Sequence, residues 1–302
     1  MKELYHHTSL QIICGLFGRS RQGWYHLEDN KSKQVLKKEL VIQMVQDIRD
    51  DLPKTGTLKL QFMLKKSFED HHISLGRDAL FTLLRENDLL VKHKKRFTTT
   101  TNSHHYFKIW PDLVNRRASI VPEEIWVSDI TYLRTKSGFI YLSLITDAYS
   151  RKIVGYHLSH NLRASGPVRA FNMAFKNRLY PQRTLIHHSD RGIQYCCQEY
   201  VQLLLGHQIR ISMTQDGSPY DNAIAERVNG ILKGEFGLAE TFESYTLALR
   251  KVAEAIDKYN KLRPHFSCQL QTPQITHAGA NNINHIRLGP IQQNLTMNVK
   301  HI

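Results

Sequence analysis

"EIWVSDITYL", residues 124–133, decides how this chain is read. Trp126, Ile130 and Tyr132 fall on one face and Val127, Asp129 and Thr131 on the other, the two-residue period of a β-strand. Asp129 is the anomaly. Aspartate is depleted from central strands and is costly there unless paired or liganded. A lone strand aspartate is most often a hydrogen-bonded structural group, so a functional reading needs partners from elsewhere in the chain.

Working outward, "GFIYLSLITDAYS" (138–150) and "RKIVGYHLS" (151–159) read as two more strands, with a tight turn near Ser150. "SGPVRAFNMAFKNRL" (165–179) reads as a helix, and "TLIHHSD" (184–190) as a short strand ending in Asp190. "CQEYVQLLLGHQ" (197–208) is a helix, "IRISMT" (209–214) a strand, and "SPYDNAIAERVNGILKGE" (218–235) a helix after the loop "QDGS". The order β-β-β-α-β-α-β-α predicts an α/β domain with a mixed sheet covered by helices.

The third carboxylate lies on the last of these helices. Ser218 suits its N-cap, Pro219 its first position, and Asp221 its first turn. Ile224, Val228, Ile231 and Leu232 form the expected buried face, and Glu226, Asn229 and Lys233 lie near one another on a different one. A lone helical glutamate is nearly always a surface charge. However, if the first and fourth strands are neighbours, which a right-handed crossover allows, Asp129 comes to Asp190, and this helix can lay Glu226 across the same edge. Three carboxylates within about 5 Å suit a pair of Mg²⁺ ions and phosphoryl transfer. His187 and His188, beside Ser189 just before Asp190, read as packing groups ahead of a catalytic base, because metal-bound water needs none.

Upstream the pattern is helical. "SLQIICGLFGRSRQGWYH" (9–26) has the outline of a helix-turn-helix, turning at Gly18 with Ser20 capping the second helix and Arg19 and Arg21 at its start. A plain helical hairpin fits the same residues. Residues 31–50 read as a separate long helix with Leu36, Leu40, Met44 and Ile48 on one side. "TLKLQFMLKKSF" and "GRDALFTLLRENDLL" follow as a second helix pair. The segment 91–117 opens with Lys92, Lys94, Lys95 and Arg96 and reads as an extended linker, either along a phosphate backbone or as a solvated hinge. Residues 241–262 form one more helix, and the final stretch of about 35 polar residues is expected to be loosely ordered.

The whole chain is compatible with this division. It has 302 residues, 41 Lys+Arg against 27 Asp+Glu and a net charge of +14, which favours a polyanionic partner. Residues 1–118 carry +8 and residues 119–302 carry +6, so both parts are candidates to touch it. Cys14, Cys196, Cys197 and Cys268 form no C-x-x-C pair; they read as reduced thiols of a cytoplasmic protein without a structural zinc. No apolar run approaches the roughly 20 residues of a membrane span, and no signal peptide is expected.

"WVSDITYL", "DAYSRKIVGY", "HHSDRGIQY" and "SPYDNAIAERVNGILKGE" together resemble the catalytic core of bacterial insertion-sequence transposases of the insertion-sequence-three type, relatives of retroviral integrases. That family carries an Asp-Asp-Glu triad with 35 residues between its second Asp and its Glu, and a basic residue seven beyond the Glu. Here 35 residues separate Asp190 from Glu226, Lys233 is seven further on, and Asp129 matches the first aspartate. The resemblance continues upstream through "GRDALFTLLRENDLLVKHKKR", which includes Arg77, and downstream to "YNKLRPH", covering about residues 5 to 277.

The resemblance implies a ribonuclease H-like five-stranded mixed sheet with helices on both faces, preceded by an all-helical region. It suggests helix-turn-helix and long helix over 1–50, a second DNA-binding helical region over 51–97, a linker over 98–120, the catalytic core over 121–240, a C-terminal helix packed on it over 241–277 and a polar tail over 278–302. It further implies Mg²⁺ or Mn²⁺ on Asp129, Asp190 and Glu226, and DNA contacts from Asn229, Lys233, Arg19, Arg21, Arg77, Lys92, Lys94, Lys95 and Arg96. The implied partners are the terminal inverted repeats of an element, target DNA, further copies of the chain and a first-frame element protein, in a bacterial cytoplasm at the nucleoid. No leucine zipper or retroviral zinc module is seen here. Two rivals stay open: a catalytically silent DNA-binding regulator, and a ribonuclease H-type nuclease without strand transfer.

Overall fold

A computed structural model of the chain describes residues 9–92, 107–115, 117–215 and 222–279. Lys94, Lys95, Arg96, Ser218, Pro219, Asp221, most of the expected linker and the tail from 280 lie outside the described residues.

The N-terminal helices are α1 (Leu10–Leu16), α2 (Arg21–Asp51), α3 (Thr57–Asp70) and α4 (Arg77–Glu86). Gly18, at φ +62°, makes the turn between α1 and α2, and the Ser20 hydroxyl accepts from Gly23 N at 3.0 Å to cap α2. The two helices expected over 20–50 are a single one of 31 residues. The polar run "HLEDNKSK" contains no proline or glycine, so nothing breaks the backbone ladder there. Its buried residues are Val41, Val45 and Ile48, which pack with Leu60, Leu64, Phe68, Leu80 and Leu84. Leu36, expected on the buried side, is 67% exposed. Helices α3 and α4 cover only the second half of α2, and their position selects the face.

The core follows as β1 (Ile125–Thr135), β2 (Gly138–Asp147), β3 (Ile153–Ser159), α5 (Ser165–Lys176), β4 (Ile186–Ser189), α6 (Ile193–Cys196), α7 (Gln198–Gly206), β5 (Arg210–Met213), α8 (Ala223–Glu235), β6 (Thr241–Phe242), α9 (Tyr245–Lys261) and α10 (Pro273–Ala278). The sheet order is β3-β2-β1-β4-β5, and the two-residue β6 adds to β1. β1–β2 and β2–β3 are antiparallel; β1–β4 and β4–β5 are parallel. This is the expected ribonuclease H-like sheet. One face packs Trp126 and Ile145 against Phe171 of α5 and Tyr200 of α7. The other packs Leu133, Leu142 and Leu144 against Val228, Ile231 and Leu232 of α8 and Val252, Ile256 and Tyr259 of α9. Each such aliphatic side chain contributes about 1.5–3 kcal/mol of burial, so α8 is held on the sheet chiefly by those three. At Gly155 of β3 a Cβ would come 2.2 Å from the Ala170 carbonyl oxygen, so α5 sits at backbone contact and only glycine fits.

Helix α8 begins at Ala223 with Asn222 at its N-cap, four residues later than expected. The stretch after "YNKLRPH" also departs from expectation, because up to residue 279 it is built into the core. Thr272 caps α10 with Pro273 in its first turn, and His277 is 1% exposed. His277 Nδ1 is 2.9 Å from Ser150 Oγ and 3.6 Å from Asp147 Oδ1, and its Nε2 is 3.4 Å from Glu123 Oε1. Arg178 donates to Glu123 at 2.9 Å from the other side. Among the described residues no helix is long and apolar enough to cross a membrane.

Candidate active site

The register of one strand pair builds the site. Ser128 of β1 is paired with Ser189 of β4 in parallel, so the next residues, Asp129 and Asp190, leave adjacent strands at the same level and on the same face. That face is the one covered by α8: Val127, two residues before Asp129, packs with Ala225.

Two contacts tie α8 to the strand. Asn222 Nδ2 donates to the Ser128 carbonyl at 3.1 Å. Asn229 Nδ2 donates to Asp129 Oδ2 at 2.7 Å, while Oδ1 of the same carboxylate accepts from Ile130 N at 2.8 Å. Asn229 is 6% exposed, so the side chain expected on DNA is turned to the carboxylate instead. Among the described residues, the side-chain amide oxygens of Asn229 and Asn222 are buried and have no donor. Glu226 sits three residues before Asn229, on the same side of the helix, and is exposed. Asp190 Oδ1 accepts from Gly192 N at 3.0 Å, which bends the chain away from the strand end.

Electrostatics reports the convergence. Burial pushes the Asp129 carboxyl up to about 7; the charge of Asp190 adds to this, and so, more weakly, does that of Glu226, against the pull of the Asn229 and Ile130 bonds. Burial also raises Glu226. Burial lowers Lys233, and the Asp129 charge works the other way, so the lysine stands within reach of the first carboxylate's field. Among the described residues no three His, Cys, Asp or Glu side chains are grouped tightly enough to hold a metal ion, so the three carboxylates sense one another without meeting at one point. Their donors are all oxygen, which suits Mg²⁺ or Mn²⁺ and not a soft metal.

The histidines before Asp190 are packing groups. His187 is 1% exposed, its Nε2 is 2.8 Å from the Tyr200 hydroxyl, and burial pushes it down to about 3. His188 is equally buried, with Nδ1 2.9 Å from Ser212 Oγ and 3.8 Å from Asp112 Oδ1. His188→Gln keeps a hydrogen-bonding side chain of similar size, and measurable cleavage of an element end is expected from it. A loss as complete as that of an Asp190 variant would make His188 a participant in the chemistry.

Of the other expected basic residues, those described are Arg19, Arg21, Arg77 and Lys92, in the N-terminal part of the chain. Arg19 and Arg21 are exposed, with Arg21 5.7 Å over the Tyr25 ring; Arg77 pairs with Asp78 at 2.9 Å; Lys92 is exposed. Asn222 went unnoticed in the sequence. Its signal was a polar side chain one residue before an apolar helical run, the usual place of a cap.

Comparison with known proteins places this arrangement. Two models described as "Integrase core domain" match residues 121–219 and 207–273. The uncharacterized 31 kDa protein of insertion element IS600 from Shigella sonnei is 34% identical over 261 residues, 84% of this chain and 93% of that one. Transposase InsF for insertion sequence IS3A from Escherichia coli (strain K12) is 34% identical over 272 residues, 88% of this chain and 93% of that one. Among solved structures, the HTLV-2 integrase catalytic core domain in complex with magnesium aligns with a TM-score of 0.42 and 20% identity, covering 52% of this chain and 98% of that one. A chain of the simian T-cell lymphotropic virus intasome in complex with PP2A regulatory subunit B56 gamma aligns with a TM-score of 0.46 and 19% identity, covering 78% of this chain and 73% of that one.

Proposed function

Since the chain belongs to the IS3-type insertion-sequence transposases with an integrase core, enzymes that cleave DNA and transfer strands, we propose that Asp129, Asp190 and Glu226 are its catalytic carboxylates. The observation that carries this is the pairing of Ser128 with Ser189, which sets the two aspartates side by side beneath α8.

The same three residues would hold two Mg²⁺ or Mn²⁺ ions. When bound, such ions supply an activated water or 3′-hydroxyl and stabilise the leaving oxygen of the phosphodiester. The protein's own groups prepare the place. Asn229 fixes the rotamer of Asp129 through Oδ2, leaving the carboxylate one direction in which to face a ligand. Asn222 and Asn229 hold α8 at the height where Glu226 overlooks the strand ends. Lys233 supplies a cation beside the acidic cluster, placed to receive a phosphate of the strand being cut.

In this reading the helical unit and Arg19, Arg21, Arg77 and Lys92 bind the terminal inverted repeats, and the outlying Lys94, Lys95 and Arg96 add to that charge. The active form is an assembly of copies on DNA, with a first-frame element protein as a further partner, at the bacterial nucleoid. An assay with pre-cut ends and a labelled target tests the whole reading. Joined product supports it. Nicking without joining would indicate a ribonuclease H-type nuclease, and binding without nicking a silent regulator.

Lys233 gives a separate expected result. If it holds one phosphate, Lys233→Ala weakens end binding and lowers the slope of log affinity against log salt by about one. Binding of a labelled end from low to moderate salt measures this, with Mg²⁺ titration as the control for the carboxylates. An unchanged slope at wild-type affinity would remove Lys233 from the DNA.

A further inference from the structure

The helical unit meets the catalytic core along a charged seam. Lys59 of α3 is 8% exposed, and its Nζ lies 3.9 Å from Glu235 Oε1 in the last turn of α8. Glu235 is already gripped by Arg263, whose Nε and Nη2 each donate to it at 2.7 Å. The Lys59 ammonium is also 5.8 Å from the Phe266 ring. Beside it, Lys258 of α9 pairs with Asp51 at the end of α2, at 3.2 Å.

The seam holds more positive charge than it neutralises. Lys59 faces Glu235, but also Arg263 and Arg227, and His265 lies within its field. Burial, then Arg263, pulls the Lys59 ammonium down to about 8, with Glu235 opposing. An apolar side chain of the same length would occupy this place at lower cost. The lysine therefore does something other than stabilise. Glu235 is the ninth residue after Glu226 on one helix, a rod of about 14 Å. With Asn222 and Asn229 bonded to β1 at the near end, the hold on Glu235 is the second point that sets how the helix, and Glu226 on it, stands over the strands.

We propose that Lys59 is a positioning residue for the reaction: through Glu235 it ties α3 to α8, so that the docking of the helical unit sets where Glu226 stands relative to Asp129 and Asp190. This rests on the role proposed above for those carboxylates.

The test uses the full chain with Lys59→Met, which keeps length without charge, and Lys59→Arg, which keeps a charge that does not titrate. Thermal midpoint, hydrogen exchange across 223–235 without DNA, and joining of pre-cut ends between pH 6.5 and 9.5 are measured. Lys59→Met is expected to keep or raise the midpoint. Its α8 protection and single-turnover joining rate should each fall roughly tenfold, inside the 5- to 150-fold span of ordinary site coupling, with end binding unchanged. Lys59→Arg should restore both. Above about pH 8 the wild type should drift toward the Met variant in α8 protection while Lys59→Arg does not. Wild-type α8 protection in Lys59→Met would overturn the proposal. So would a loss of protection spread over the whole chain that Lys59→Arg fails to restore. Should Lys59→Met not fold, an identical alkaline profile for wild type and Lys59→Arg would overturn it as well. If the wild type itself joins nothing, the proposed chemistry fails, while α8 exchange still decides the role of Lys59.

Discussion

Asp129→Ala, Asp190→Ala and Glu226→Ala should each bind an element end as the wild type does and lose cleavage by more than about a thousandfold. The loss is expected to be this large because each removes one wall of the site where the phosphodiester reacts. Folding should survive. The two aspartates repel each other across the β1–β4 ladder, so removing Asp190 relieves Asp129 of the charge that helps push it up to about 7. Nicking of a labelled end in Mg²⁺, beside a binding isotherm, measures both halves. Asp190→Ala protein that still nicks would end the assignment.

The second large effect is on stability and has the opposite sign. Burial and the neighbouring Asp190 push Asp129 up to about 7 when folded, against the ordinary 3.8 of an aspartate in the unfolded chain. Between those values the folded chain holds a proton that the unfolded chain has given up. Stability therefore falls as pH rises through that window and is lowest above 7. A shift of this size corresponds to at most about 4 kcal/mol. Asp129→Asn removes the charge and keeps one of the two bonds, its single amide oxygen accepting from Asn229 while the bond from Ile130 N is given up, a cost set against the relieved charge. Its metal-free thermal midpoint at pH 8 should rise by roughly 5 °C or more, with the gain gone near pH 4. Added Mg²⁺ should then stabilise the wild type and leave the variant unmoved. A metal-free variant no more stable than wild type at pH 8 would show that Asp129 bears no such strain.

Much of the core could be read from residue order, because its signals are local. The alternation around Asp129, the apolar runs of β2 and β3 and the ends of α5 and α7 all lie within single windows. The meeting of Asp129 with Asp190 could be read on the condition that the first and fourth strands are neighbours, which a right-handed crossover allows and the β1–β4 ladder fulfils. What escaped depends on contacts distant in the chain. Asn229, given to DNA by the resemblance, is bonded to the Asp129 carboxylate, a contact helix phase could not show because it tells which residues share a side but not which side meets the sheet. Leu36 was assigned to a buried face for the same reason, since the position of α3 chooses Val41 and Val45. The helix ending at 26 and the one over 31–50 are joined as α2, because the polar residues between them keep the backbone ladder intact. Helix α10 had a visible start in Thr272-Pro273, but its reason for being buried is an ion cluster with Glu123 and Asp147, more than a hundred residues upstream.

That cluster bears on how the protein comes into being. A nascent chain that has left the ribosome through Glu226 already owns all three carboxylates, yet it lacks His277. Until the ribosome adds Pro273–Ala278, the charges of Glu123 and Asp147 have no imidazole between them at the base of β1 and β2. Helix α10, the last among the described residues, thus closes the ion cluster beneath the strand that bears Asp129, and a translation product stalled before it would carry the chemistry's residues on an unfinished support.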